Sequence, residues 1–291
     1  MALAGWRFAG AVFFALAPGI AAAADMPLPA PAPPPTPPAT YAPPAPDWIV
    51  TVGAQGRAIP AWPGAPTTEY GFTGVPLFSI RTPGSPPTFF GARDSFGVGI
   101  LNLSQFRFGP AFNFVWARYA SSYTQLNGLG DINYALQAGG FAEYWPVSWL
   151  RLRGEVRQGF GGETGVTGDL FVDAVVPLGP FRLSGGPRLA LESAAAVSPY
   201  FGITAAQSIG STVSGLPLLP VYSATGGLYS YGAGGQVEYF WSPQWQTHAL
   251  VEYERLTGSA ADSPLVIQRG SPNQFTFGAG ATYTFSMRPL W

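Results

Sequence analysis

Cysteine is absent from the 291 residues, which excludes disulfides, thiolate metal ligands and thiol nucleophiles. Lysine is absent too. All 14 basic residues are arginines against 15 acids, a formal charge of −1, so composition gives no electrostatic case for a nucleic-acid partner. One histidine, His248, excludes a multi-histidine metal site. Charged residues make up 10% of the chain, well under the roughly 25% of a soluble protein. Beyond the first 24 residues no apolar run approaches the ~20 that a membrane-spanning helix needs. Apolar composition without a spanning helix leaves a large all-β soluble core, or a transmembrane barrel whose signal is spread over alternating strands.

Chemical motifs are scarce as well. Gly161–Gly165 looks like a phosphate loop but lacks the Gly-Lys-Ser/Thr ending, and reads as a turn. There is no G-x-S-x-G elbow. No serine is singled out as a nucleophile for His248, which reads as a hydrogen-bonded histidine on the polar face of its strand, near Glu252. The expectation is a chain without catalytic residues, metal or cofactor.

What is present is punctuation and alternation. Residues 1–24 carry Arg7, an apolar Phe8–Leu16 and Ala22-Ala23-Ala24 before Asp25, the order of a secretory signal cleaved near Ala24. Residues 25–47 are a Pro/Ala-rich linker that cannot form helix or sheet and should run as an extended periplasmic spacer. From 48 to 285 alternating segments succeed one another, and 286–291 form a short tail. The clearest segment is Asn273–Phe285. It sets Phe275, Phe277, Ala279, Ala281, Tyr283 and Phe285 on one face, with polar residues and glycine on the other. Its aromatic end resembles the signal by which the barrel-assembly machinery recognises a closing strand.

Strands are expected near 48–58, 69–81, 87–94, 95–103, 105–117, 133–145, 149–160, 166–177, 181–192, 226–241, 245–256 and 273–285. The connections among the later ones alternate tight (104, 146–148, 178–180, 242–244) with long (118–132, 161–165, 193–225, 257–272), as in a barrel with short periplasmic turns and outer loops. Strict alternation turns Trp241 and Trp245 outward to an interfacial girdle but Trp145 and Trp149 inward. The fold class is therefore all-β: a transmembrane antiparallel barrel of about twelve strands, exported to the cell outer membrane and surrounded by its lipid.

Charges fall on one parity. Arg151, Arg153, Glu155 and Arg157 share a face of one strand, Asp169 and Asp173 of the next, then Arg182, Arg188 and Glu192, with Glu238, Glu252 and Glu254 towards the closing side. Facing lipid, each would cost about 2–4 kcal/mol at the midplane, so they face the lumen. There they form either a selectivity lining or a structural ion-pair network, and the near balance of signs favours mutual pairing of Arg151, Arg153 and Arg157 with Asp169 and Asp173.

The later loops carry distinctive words: Tyr200-Phe201-Gly202-Ile203-Thr204, Gln207-Ser208, Gly226-Gly227, Leu126–Ile132, Arg157-Gln158-Gly159 and Arg255–Val266. In order and spacing they resemble the MipA/OmpV family of outer-membrane proteins. The resemblance implies a non-enzymatic barrel acting as a scaffold in peptidoglycan remodelling, with a lytic transglycosylase and a peptidoglycan synthase as partners. A small-solute pore or an adhesin is the alternative, and a lipid-active barrel enzyme a distant one. The family has no agreed functional residue set to carry over.

Overall fold

The computed structural model describes residues 48–82, 88–212 and 215–288. The expected signal (1–24) and linker (25–47) lie outside these residues. Twelve antiparallel strands follow one another: β1 Trp48–Pro60, β2 Tyr70–Arg81, β3 Phe96–Gly97, β4 Leu101–Leu103, β5 Phe106–Val115, β6 Ala135–Val147, β7 Leu150–Gly161, β8 Val166–Leu178, β9 Phe181–Glu192, β10 Gly227–Phe240, β11 Trp245–Leu256 and β12 Asn273–Met287. Each long strand from β5 onward pairs with the next, and β12 pairs back onto β1 with Val50 opposite Phe285. The sheet thus curls into a nearly closed barrel. The β1–β12 ladder continues to Trp48 opposite Met287, two residues past the expected end of the barrel at 285.

The expected strand over 87–94 does not form among the described residues, and the one over 95–103 is broken into β3 and β4, which lie along the same edge of β5. The physical reason for the missing strand over 87–94 is the adjacent pair Arg93–Asp94. In a strand, neighbouring side chains take opposite faces, so one of these charges would point into hydrocarbon. The chain instead turns inside the barrel, where both are paired. One consequence is a seam: among the described residues no ladder joins β2 to β3, and the rings of Phe78 and Phe96 stack across it at 6.4 Å. Pro76 in β2 fits an edge strand, since it has no N–H to offer a further ladder.

The two barrel ends differ. At one end lie the tight turns, around 104–105, 148–149, 179–180 and 241–244; at the other lie 61–69, 116–134, 162–165, 193–226 and 257–272. Trp149, Trp241 and Trp245 are exposed at the tight-turn end. Trp149 escapes the inward position that strict alternation assigned it because it stands in the turn before β7, not in the strand. Trp145 does face inward, edge-on to Phe89 at 6.1 Å.

The long connections fold into a cap with its own apolar core, which includes Trp62, Leu126, Phe201, Ile203, Leu265 and Val266. Short helices organise it: α1 Ala194–Phe201, α2 Ala205–Gly210, α3 Gly258–Ala261 and α4 Pro264–Arg269. Helix α2 starts at a reciprocal capping box between Thr204 and Gln207. Helix α4 starts with Pro264 in its first turn, where no N–H is needed. Gly128 takes φ +83, and a Cβ there would fall 2.0 Å from the Gly210 carbonyl oxygen. Only glycine lets the β5–β6 and β9–β10 connections meet so closely.

Candidate functional site: the charged lumen

Alternation along β7 carries the site. Arg151, Arg153, Glu155 and Arg157 are all buried, while Leu152, Val156 and Phe160 between them are exposed on the outer face. Charge inside and apolar side chains outside is the pattern of a strand between a polar lumen and lipid.

Around Arg151 the lumen is fully paired. Its Nε donates to Glu143 Oε2 at 2.9 Å and its Nη1 to Asp173 Oδ2 at 2.9 Å, while Nη2 donates to Asp94 Oδ2 at 2.6 Å. Arg157 Nη2 donates to Asp169 at 2.5 Å, and Arg157 also reaches Glu155. Arg153 departs from the expected partners: it bonds Glu155 at 2.6 Å and Glu143 at 3.3 Å instead of Asp169 or Asp173. Arg182 forks onto Glu238. Arg188 Nη2 bonds Asp173 at 2.6 Å, and its Nη1 donates to the Val172 carbonyl at 3.2 Å. That carbonyl faces Pro187, which has no N–H for the β8–β9 ladder, and the guanidinium stands in for it. Phenylalanines fill the space between the charges, with Arg153 lying 3.9 Å over the Phe141 ring and Arg188 5.5 Å over Phe171. His248 Nε2 lies 2.8 Å from the Gln55 amide, so its partner is Gln55 and not Glu252.

A second feature, not legible as such in the sequence, is an internal strap formed by residues 88–95. Phe89 sits at the tight-turn side against Trp145 and beneath the guanidiniums of Arg151 and Arg182. The Phe90 carbonyl accepts from Gln236 on β10 at 3.0 Å. Arg93 crosses to β11, bonding Glu252 at 3.1 Å and Glu254, with Asp169 of β8 at 3.8 Å. Asp94 takes the opposite side, against Arg151 of β7, and the Ser95 N–H donates to Glu155 at 3.3 Å. One short segment is thus tied to β6 through β11 across the lumen. The signal that could have found it is Arg-Asp set in an aromatic and glycine-rich stretch, where no single strand face can take both.

At the loop end Glu163 turns inward from the β7–β8 connection and bonds Gln137 of β6. Arg118, beneath the cap, donates to the Tyr200 carbonyl at 3.1 Å, and burial lowers its pKa to about 10. Burial raises the Glu163 carboxyl above the usual carboxylate range. A carboxyl that holds its proton more tightly folded than unfolded gains stability as pH falls through its folded pKa. Mild acidification from pH 7 should therefore make this end harder to unfold, and Glu163→Gln should flatten that slope in urea titrations monitored at several pH values. A slope unchanged by Glu163→Gln would place its origin elsewhere.

The four aromatic residues of β12 lie on the lipid face. Phe275 packs against Tyr253 at 5.1 Å, and Phe277 against Tyr70 at 6.1 Å. Tyr283 packs against Trp245 at 4.9 Å and against Phe285 at 6.0 Å. The directly cross-strand pairs, Phe275–Tyr253 and Tyr283–Trp245, stabilise the β11–β12 ladder, and the aromatic residues near the strand ends mark the interfacial levels. Among the described residues no group of three or more histidine, aspartate or glutamate side chains is arranged to hold a metal ion.

A family model described as MltA-interacting protein MipA matches residues 52–285. No curated protein matches the chain. Solved structures similar to it include an outer membrane channel from Pseudomonas putida F1, at 11% identity and TM-score 0.36 over 86% of this chain and 100% of that one. The NanC porin aligns at 7% identity and TM-score 0.36 over 81% and 98%. The outer membrane protein OprG from Pseudomonas aeruginosa aligns at 9% identity and TM-score 0.27 over 83% and 97%.

Proposed function

Because the chain belongs to the MltA-interacting protein MipA family, we propose that this outer-membrane β-barrel is a closed, non-enzymatic scaffold that holds peptidoglycan-remodelling enzymes at the membrane. The partners in this reading are a lytic transglycosylase and a peptidoglycan synthase, met at the tight-turn end, which faces the periplasm. The observation that carries the closed state is the strap: residues 88–95 cross the lumen and are bonded to both of its walls. A pore needs a continuous water path, whereas here arginine–carboxylate pairs and phenylalanine rings occupy the cross-section, under a cap with an apolar core. The partnership of His248 with Gln55, where a hydrolase would need a serine hydroxyl, supports the non-enzymatic reading.

Two measurements test it. The purified barrel in planar bilayers should give no steady conductance steps, and an immobilised barrel should retain a purified lytic transglycosylase and peptidoglycan synthase together. Regular conductance steps without enzyme retention would make this protein a small-solute pore.

A further inference from the structure

A barrel without edges needs no internal brace, because every strand is held by a ladder on each side. This one has a seam between β2 and β3, and the chain that leaves the seam is the strap itself. Phe78 and Phe96 meet across the seam by ring contact, and β3 and β4 cover β5 with only two and three residues. Arg93 and Asp94, three and two residues before β3, are the charges that hold the strap to β11 and β7. The pull that keeps β3 in place is therefore exerted from inside the lumen. Arg93 is also the cation bound to Glu252 and Glu254. Without it those two acids face the lumen with no arginine within ion-pair distance among the described residues.

We infer that the β2–β3 seam is a lateral portal between lumen and bilayer, and that Arg93 and Asp94 are the latch that holds it shut. The loop end is covered by the cap, and inside the tight-turn end Phe89 packs on Trp145, Arg151 and Arg182. The seam is closed by a ring contact and by the ion pairs that anchor the strap inside the lumen, with no backbone ladder across it among the described residues, so it is the part of the wall that costs least to open. Its rim is apolar (Phe72, Phe78, Phe96, Ile100 and Leu101) and the space behind it is charged in both signs. That combination fits an amphiphile with an apolar tail and a zwitterionic head.

The absence of cysteine makes the test clean. Thr276, on the lumen parity of β12 opposite Glu252, becomes a reporter as Thr276→Cys in proteoliposomes, probed with a maleimide carried on a phosphocholine lipid. In the parent barrel the reaction should be slow. Arg93→Ala with Asp94→Ala, removing partners of buried ion pairs, should speed it at least about ten-fold. The conservative pair Arg93→Lys with Asp94→Glu should stay near the parent rate. In a separate triple-cysteine background, a disulfide formed by copper phenanthroline between Phe78→Cys and Phe96→Cys before the lipid reagent, with the Thr276→Cys thiol confirmed free by mass spectrometry, should abolish the acceleration. Heat-modifiable gel mobility confirms that each variant is a folded barrel. Folded Arg93→Ala/Asp94→Ala barrels that react at the parent rate, or whose acceleration survives the bridge, would overturn the portal.

Discussion

Arg151→Ala should destabilise the barrel by about 3–5 kcal/mol, the cost of stranding buried charges by removing their common partner. Arg151 is fully buried, with no exposed surface. Its guanidinium serves Glu143, Asp173 and Asp94 at once and lies 4.9 Å over the Phe89 ring. Of these, Asp173 keeps Arg188 and Glu143 keeps Arg153, whereas Asp94 would retain, besides the Gly91 N–H at 2.9 Å within the strap, only the 3.8 Å approach of Arg153 as a counter-charge. The damage should therefore fall on the strap before the wall. Arg151→Lys retains the charge but loses the fork and should cost less. The measurement is the urea midpoint of the detergent-solubilised barrel, followed by gel mobility. Because buried ion pairs can be replaced by apolar groups without loss when every member changes together, Arg151→Met combined with Asp94→Leu should recover part of the deficit. A midpoint unchanged in Arg151→Ala would show that water, and not arginine, solvates these acids.

Much of this architecture was legible because period 2 is a strong signal wherever one face meets lipid. The β7 stretch from Leu150 to Arg157 could be assigned inside and outside from residue types alone, since an arginine in hydrocarbon is too costly to be ambiguous. The strap was not legible for the opposite reason. Residues 88–94 are rich in phenylalanine and small residues that a strand can hold, and the adjacency of Arg93 and Asp94 is the clearest mark against one. Their partners lie on β7 and β11, far along the chain, and nothing local names them. The pairing of Arg153 with Glu143 and Glu155, where Asp169 or Asp173 was expected, has the same origin. Parity fixes the face, but which carboxylate a flexible guanidinium reaches depends on tilt between neighbouring strands and on who else competes for it. The cap escaped because its core is assembled from single residues of four connections, such as Trp62, Leu126, Ile203 and Leu265, without periodicity in any one of them.

Arg269→Ala should open the cap while leaving the barrel folded. At the end of α4, the Arg269 guanidinium donates to three carbonyls from two other connections: Gln125 at 3.0 Å, Ser211 at 2.7 Å and Pro217 at 2.5 Å. None of these carbonyls belongs to a strand ladder, so the residue holds loops to one another and not to the barrel wall. Of the three bonds only the one to Ser211 is buried, the others being partly open to solvent; a buried carbonyl left unpaired costs about 1–3 kcal/mol, and a loss of that size should be confined to the cap. Limited proteolysis should then cut within 193–226 and 257–272 at a protease concentration that spares the parent, while heat-modifiable mobility and the urea midpoint of the strands stay near the parent values. The cap and the strap are barriers in series. A cap opened by Arg269→Ala should leave the lumen still crossed by Phe89–Ser95 and still non-conducting in planar bilayers. Steady conductance from this single substitution would mean that the strap lets ions pass, and that the cap alone keeps the barrel closed.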